Sequence, residues 1–123
     1  AFLIGENFIK KDSVALILGD NIFHGINFKS LKISKNYIGA TIFLYRVPDP
    51  EKYGVAYLKN NQVIKIIEKP IKPQSNLIVT GLYFYDNNVI NISKSIKPSK
   101  RNELEITDVN NFYINKKKMT FFI

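Results

Sequence analysis

Apolar positions switch between strand and helix periods along this chain, and the switches divide it into elements. Val14 to Leu18 is an unbroken apolar run that ends at Gly19-Asp20-Asn21. It predicts a strand buried on both faces that delivers a carboxylate to its C-terminal edge. Before it, apolar residues at 2, 3, 4, 8 and 9 suit the end of a helix. After it, Asn27 can cap a short helix to about Lys35, with Phe28, Leu31 and Ile33 as its apolar positions. Ala40 to Val47, rich in β-branched and aromatic residues, reads as a second strand that stops at Pro48-Asp49-Pro50, because proline removes ladder donors. A helical crossover between two buried strands implies parallel pairing, so the front half reads as a βαβ unit.

Val55 to Lys59 and Gln62 to Lys69 flank Asn60-Asn61, a dipeptide that tolerates positive φ, and together predict a tight hairpin. Pro70-Ile71-Lys72-Pro73 is then an extended, rigid loop. Ile78 to Tyr85 is a strong strand interrupted by Gly81, which suggests a close approach of backbone or ligand. Asp86 can cap a helix from Asn87 to Ile96, and a further helix is expected from about Glu105 to Lys117. Met119 to Ile123 begins a last strand. The order of elements is α/β.

Composition changes little in this picture. With 123 residues and 46% hydrophobic content the chain can build a real core. No apolar run approaches the roughly 18 residues that cross a bilayer, so it reads as soluble, with no membrane partner. It contains no cysteine, which excludes disulfides and thiolate metal sites and is compatible with a cytoplasmic location. The N-terminus lacks an initiator Met and any signal-peptide pattern, and looks cut from something longer. The formal charge of +8 invites a nucleic-acid reading. Its lysines are scattered singly, however, and the tight run Lys116-Lys117-Lys118 only links two apolar segments. We therefore expect no nucleic-acid partner and a basic surface that attracts small anions. His24, the single histidine, reads as a packing residue in a loop.

Four short segments carry the chemistry: Leu18-Gly19-Asp20-Asn21, Tyr53-Gly54-Val55, Ile67-Glu68-Lys69-Pro70 and Leu104-Glu105-Ile106-Thr107-Asp108-Val109. Plain structural readings stand beside the chemical one. Gly19-Asp20-Asn21 can be a turn, Glu68-Lys69 a solvated strand end, and Thr80-Gly81 a bulge. Glu103, Glu105 and Asp108 can be acids favoured at a helix N-terminus. Taken together, in order and spacing and with Val79 to Asp86 between the last two, they resemble the sugar nucleotidyltransferases, and among these the glucose-1-phosphate thymidylyltransferases.

The resemblance implies a Rossmann-like nucleoside-diphospho-sugar transferase fold in which residues 1–123 form one incomplete domain, the sugar-phosphate-binding portion. It implies an enzyme that makes dTDP-glucose and pyrophosphate from dTTP and glucose 1-phosphate with Mg²⁺. Phosphoryl-type transfer between two anions needs charge neutralisation and in-line positioning. By that resemblance Asp20 is the metal-holding, catalytic carboxylate, Lys69 the catalytic lysine at the sugar-linked phosphate, and Glu68 the acceptor for sugar hydroxyls. Gly54 and Tyr53, Val79, Glu105 and Thr107 line the sugar pocket. The family's glycine-rich nucleotide loop, its base-reading segment and its second metal aspartate are expected outside residues 1–123. The fragment alone is therefore expected to be inactive, and the full-length protein a homo-oligomer. The alternatives are a non-catalytic remnant that keeps sugar-phosphate binding, or a uridylyltransferase of the same family.

Overall fold

The computed structural model describes residues 1–24, 38–99 and 102–123. Its elements in chain order are α1 (Glu6–Ile9), β1 (Val14–Ile17), β2 (Ala40–Arg46), a 3-10 turn (Pro50–Lys52), β3 (Gly54–Lys59), β4 (Gln62–Glu68), β5 (Leu77–Tyr85), α2 (Val89–Ser95), α3 (Ile106–Asn115) and β6 (Met119–Phe122). The strands form one sheet in the order β4-β3-β5-β2-β6, with β1 also paired to β5. The helix expected from Asn27 to about Lys35 lies outside the described residues.

The centre of the sheet is β5, the longest strand at nine residues. β2 pairs antiparallel along one side of it. On the other side β3 meets its first half at Ile78, and β1 meets its second half from Leu82 to Tyr85. This corrects the βαβ expectation. β1 and β2 do run parallel, but β5 lies antiparallel between them, so they share no ladder. A crossover helix fixes the relative direction of two strands and not whether a third is inserted.

A second correction concerns β1 itself. Its residues alternate half-buried and exposed, and Ile17 is 57% exposed. Val14 and Leu16 pack against the core, whereas Ala15 and Ile17 point to the opposite face. The core lies between the sheet and the helices: Ile42, Leu44, Ala56, Ile66, Tyr83 and Tyr85 from the strands meet Val89, Ile92, Val109 and Tyr113 from α2 and α3.

Local expectations fare unevenly. Asn60 and Asn61 both have positive φ, 50° and 56°, so the β3–β4 turn is the tight hairpin their side chains permit. α2 begins two residues later than expected. Asp86 turns inward, and its carboxylate accepts from the N–H groups of Gly39 and Asn88 and from the Tyr113 hydroxyl. α3 matches the expected helix within two residues at its C-terminal end. His24 is exposed, contrary to the packing role expected for it.

Candidate functional site

The first part of the site is built where β4 ends. Gly54 opens β3 directly opposite Glu68, the last residue of β4. Thr107, in the first turn of α3, donates from Oγ1 to Glu68 Oε2 at 2.7 Å. A Cβ on residue 54 would lie 3.2 Å from that same Oε2 and 3.3 Å from Thr107 Oγ1, tighter than ordinary contact. Glycine is what lets the carboxylate and the hydroxyl close over the strand start.

The next residue, Lys69, has φ of +43°, and its N–H donates to the Tyr53 carbonyl at 3.0 Å. Leaving the strand in a left-handed step breaks the alternation that would send adjacent side chains to opposite faces. Glu68 and Lys69 consequently line one pocket of about 460 Å³, together with Glu105, Thr107 and Asp108. Three carboxylates and one lysine face this space, so it offers many acceptors to a ligand rich in hydroxyls and a single cation to an anion. Asp108 shows the crowding. Its carboxyl is held above the ordinary 3.8 by partial burial first, then by the charges of Glu105 and Glu68. Glu105 accepts from the Ser99 hydroxyl at 2.9 Å.

The second part is the turn after β1. Leu18 N–H donates to the Gly81 carbonyl, and Gly81 N–H donates to Asn21 Oδ1 at 2.9 Å. Asn21 Nδ2 in turn donates to Asp20 Oδ1 at 2.8 Å. Asn21 therefore ties an exposed carboxylate to the central strand. Any Cβ at residue 81 would fall 2.6 Å from Asn21 Nδ2, so the glycine in β5 is required by this clamp. Asp20 lines a second pocket of about 820 Å³ with Tyr53 and Thr80.

The sequence-predicted residues are thus divided between two pockets: Glu68, Lys69, Glu105 and Thr107 line the first, Asp20 and Tyr53 the second. Val79 lines neither; its side chain packs against the core. Two features join the pockets. Tyr53 faces Asp20's pocket with its side chain while its carbonyl holds Lys69. Tyr83 senses both carboxylates, its hydroxyl pushed up to about 12 by burial, then by the charges of Glu68 and Asp20. It remains a neutral donor at any physiological pH. Sequence reasoning missed Tyr83, Ser99, Asn21 and Asn111 as parts of the site. Asn21 and Tyr83 fell inside the quoted segments without a role of their own, and Asn111 shares a helix face with Thr107 as any residue four positions on would. Among the described residues no three His, Cys, Asp or Glu side chains gather as a metal cluster, and no helix is long and apolar enough to cross a membrane.

A family model described as nucleotidyl transferase matches residues 1–123, the whole length of this arrangement. The chain belongs to the nucleotidyl transferase family. Among curated members it is 50% identical over 117 residues to a glucose-1-phosphate thymidylyltransferase of Neisseria meningitidis, covering 93% of this chain and 41% of that protein. It is 48% identical over 121 residues to one of Mycobacterium tuberculosis, covering 97% of this chain and 42% of that protein. The chain therefore spans less than half the length of these curated relatives. The nucleotidyl transferase fold is matched by a Bacillus anthracis structure assigned as a glucose-1-phosphate thymidylyltransferase in complex with a sucrose. That match has a TM-score of 0.85 and 42% identity and covers 97% of this chain and 49% of that one. A UDP-glucose pyrophosphorylase complexed with UDP-glucose superposes with a TM-score of 0.80 at 28% identity, covering 98% of this chain and 51% of that one. The fold is Rossmann-like, as expected of the family.

Proposed function

We propose that the protein carrying this chain is a glucose-1-phosphate thymidylyltransferase, and that residues 1–123 supply the sugar-phosphate side of its site as one partial domain. The observation that carries the reading is the convergence of Gly54, Glu68 and Thr107 at the end of β4, with Lys69 turned into the same pocket. Glu68 and Glu105 accept from the hexose hydroxyls, and a charged acceptor makes the stronger bond. The bare backbone at Gly54, with Tyr53 beside it, lets the ring approach. Lys69 neutralises the sugar-linked phosphate, whose oxygen attacks the α-phosphorus of dTTP. The bond from that phosphorus to the bridging oxygen breaks, and pyrophosphate leaves.

Asp20 fits a hard cation: it is an exposed carboxylate, anchored through one oxygen, and Mg²⁺ is typically held by one or two carboxylates with phosphate oxygens completing its shell. When bound there, Mg²⁺ would offset phosphate charge. The names of the curated relatives support dTTP as nucleotide and glucose 1-phosphate as acceptor, while a homo-oligomeric assembly rests on the family resemblance alone. The UDP-glucose pyrophosphorylase likeness supports a second reading, uridylyl transfer in the same pocket.

The test is pyrophosphate release by the full-length protein with glucose 1-phosphate, Mg²⁺ and either dTTP or UTP. Preference for dTTP is expected, and preference for UTP selects the second reading. Asp20→Asn should lower kcat far more than it raises the KM for glucose 1-phosphate, because a neutral amide is a poor Mg²⁺ ligand. An unchanged kcat makes Asp20 a turn residue. No release with either nucleotide points to a non-catalytic remnant.

A further inference from the structure

One side chain closes the outer edge of β4. Asn111 of α3 accepts from the Ile66 N–H through Oδ1 at 2.9 Å and donates from Nδ2 to the Ile66 carbonyl at 2.8 Å. Its amide thereby pairs with both backbone groups of one residue, as the backbone of a further strand would. On the same helix, four residues earlier, Thr107 holds Glu68. Four residues of helix rise about 6 Å and two residues of strand about 6.6 Å. Positions 107 and 111 therefore match positions 68 and 66, and helix and strand are fastened at both ends of that short, oppositely directed span.

The fastening also accounts for the residue opposite Glu68. The N–H and carbonyl of Ile66 face away from β3, so Ile66 and Ala56 form one of the close, non-bonded pairs of the antiparallel ladder. Two residues on, Glu68 and Gly54 are the next pair of that kind, where side chains are nearest. A shift or twist of the β4 edge would alter the separation between the Glu68 carboxylate and the bare Gly54 backbone directly.

We propose that Asn111 is a positioning residue: by clamping Ile66 it holds the end of β4 so that Glu68 stays within reach of Thr107 and Lys69 enters the pocket from its left-handed step. The inference rests on reading that pocket as the sugar-phosphate site.

The test is the affinity of the full-length protein for glucose 1-phosphate, measured by calorimetry for wild type, Asn111→Ala, Glu68→Gln and the double variant. Tyr85→Phe, which removes a buried hydrogen bond to Asn110 away from the pocket, serves as a control for lost stability. Asn111→Ala should weaken binding roughly five- to twentyfold, the scale of one weakened hydrogen bond between the ligand and Glu68. Tyr85→Phe should leave affinity unchanged. On the Glu68→Gln background most of the Asn111→Ala loss should vanish, since the two act through one contact. If Glu68→Gln weakens binding and Asn111→Ala does not, the inference fails and the pocket reading stands. If Glu68→Gln has no effect, or wild type binds no glucose 1-phosphate, both fail. Fully additive losses overturn the positioning role. So does an Asn111→Ala protein of wild-type affinity that self-associates in sedimentation, which would make Asn111 a guard of the strand edge.

Discussion

Glu68 and Lys69 are adjacent, yet the reading gives them different tasks: a carboxylate for hydroxyls and a cation for phosphate. Their shared pocket depends on the left-handed backbone of Lys69, which ends the strand alternation between them. Glu68→Gln keeps the shape of the acid but weakens an acceptor and should cost about 1–3 kcal/mol of binding, as for hydrogen bonds to a charged group. Its loss should shrink with deoxy analogues that lack the hydroxyl concerned. Lys69→Met should lose a similar factor on every sugar 1-phosphate, with the larger part in kcat. A two-by-two kinetic comparison across glucose 1-phosphate and its deoxy analogues separates them. If both variants lose the same factor on every sugar, or neither loses any, the pair returns to a solvated strand end.

Asp108 belongs to the same scale. Its folded pKa is raised above the unfolded value, so its protonated form favours the fold. That stability is fully present below the unfolded pKa of about 3.9 and is lost as pH rises through the folded pKa. At neutral pH the ionised carboxylate sits beside Glu105 and Glu68 at a cost. Asp108→Asn is therefore expected to raise the melting temperature at pH 7 and to change it little at pH 3.5. Thermal scans at the two pH values check this, and a lower melting temperature at pH 7 contradicts it.

At the scale of elements, α3 does two jobs on two faces. One face fastens β4 through Thr107 and Asn111. The other reaches the end of β5, where the Tyr85 hydroxyl donates to Asn110 Oδ1 and Tyr113 donates to Asp86 Oδ1 at 2.6 Å. Asp86 also accepts from Gly39, so the entry to β2, the exit of β5 and α3 are joined at one buried carboxylate. Tyr113→Phe removes one of its donors and should destabilise the fold by about 1–3 kcal/mol, the usual cost of an unmet bond to a buried charged group. The urea midpoint should fall at constant slope; an unchanged midpoint would show that water replaces the hydroxyl.

For the whole molecule, the decisive arrangement is β5 between β1 and β2. It brings the Asp20 turn, from the front of the chain, to the same strand whose Tyr83 feels Glu68 from the hairpin. On the proposed reading these residues supply a sugar-phosphate pocket and one carboxylate for a metal, and orienting a triphosphate for in-line attack needs further donors. Residues 1–123 by themselves are thus expected to bind glucose 1-phosphate without releasing pyrophosphate from dTTP and Mg²⁺. Pyrophosphate release by this piece alone would sink that division of labour.

Most of the elements were legible in the order of residues alone, because their signals are local: the period of apolar residues, the Asn60-Asn61 turn, the prolines after β2, the acid-rich start of α3. It also marked Asp20, Gly54, Glu68, Lys69 and Thr107, through the resemblance of their segments to the sugar nucleotidyltransferases, and each stands at a strand or helix end. Which strands are neighbours emerged from the three-dimensional packing, for hydrophobic period says what is buried and not against what. β1 looked buried on both faces because an apolar run does not show whether one face of the sheet is covered or both. The partners that hold the site, Asn21 for Asp20 and Asn111 for β4, were illegible for the same reason: their bonds join residues sixty and forty-five positions apart, and nothing local distinguishes an asparagine that clamps a distant backbone from one that faces water.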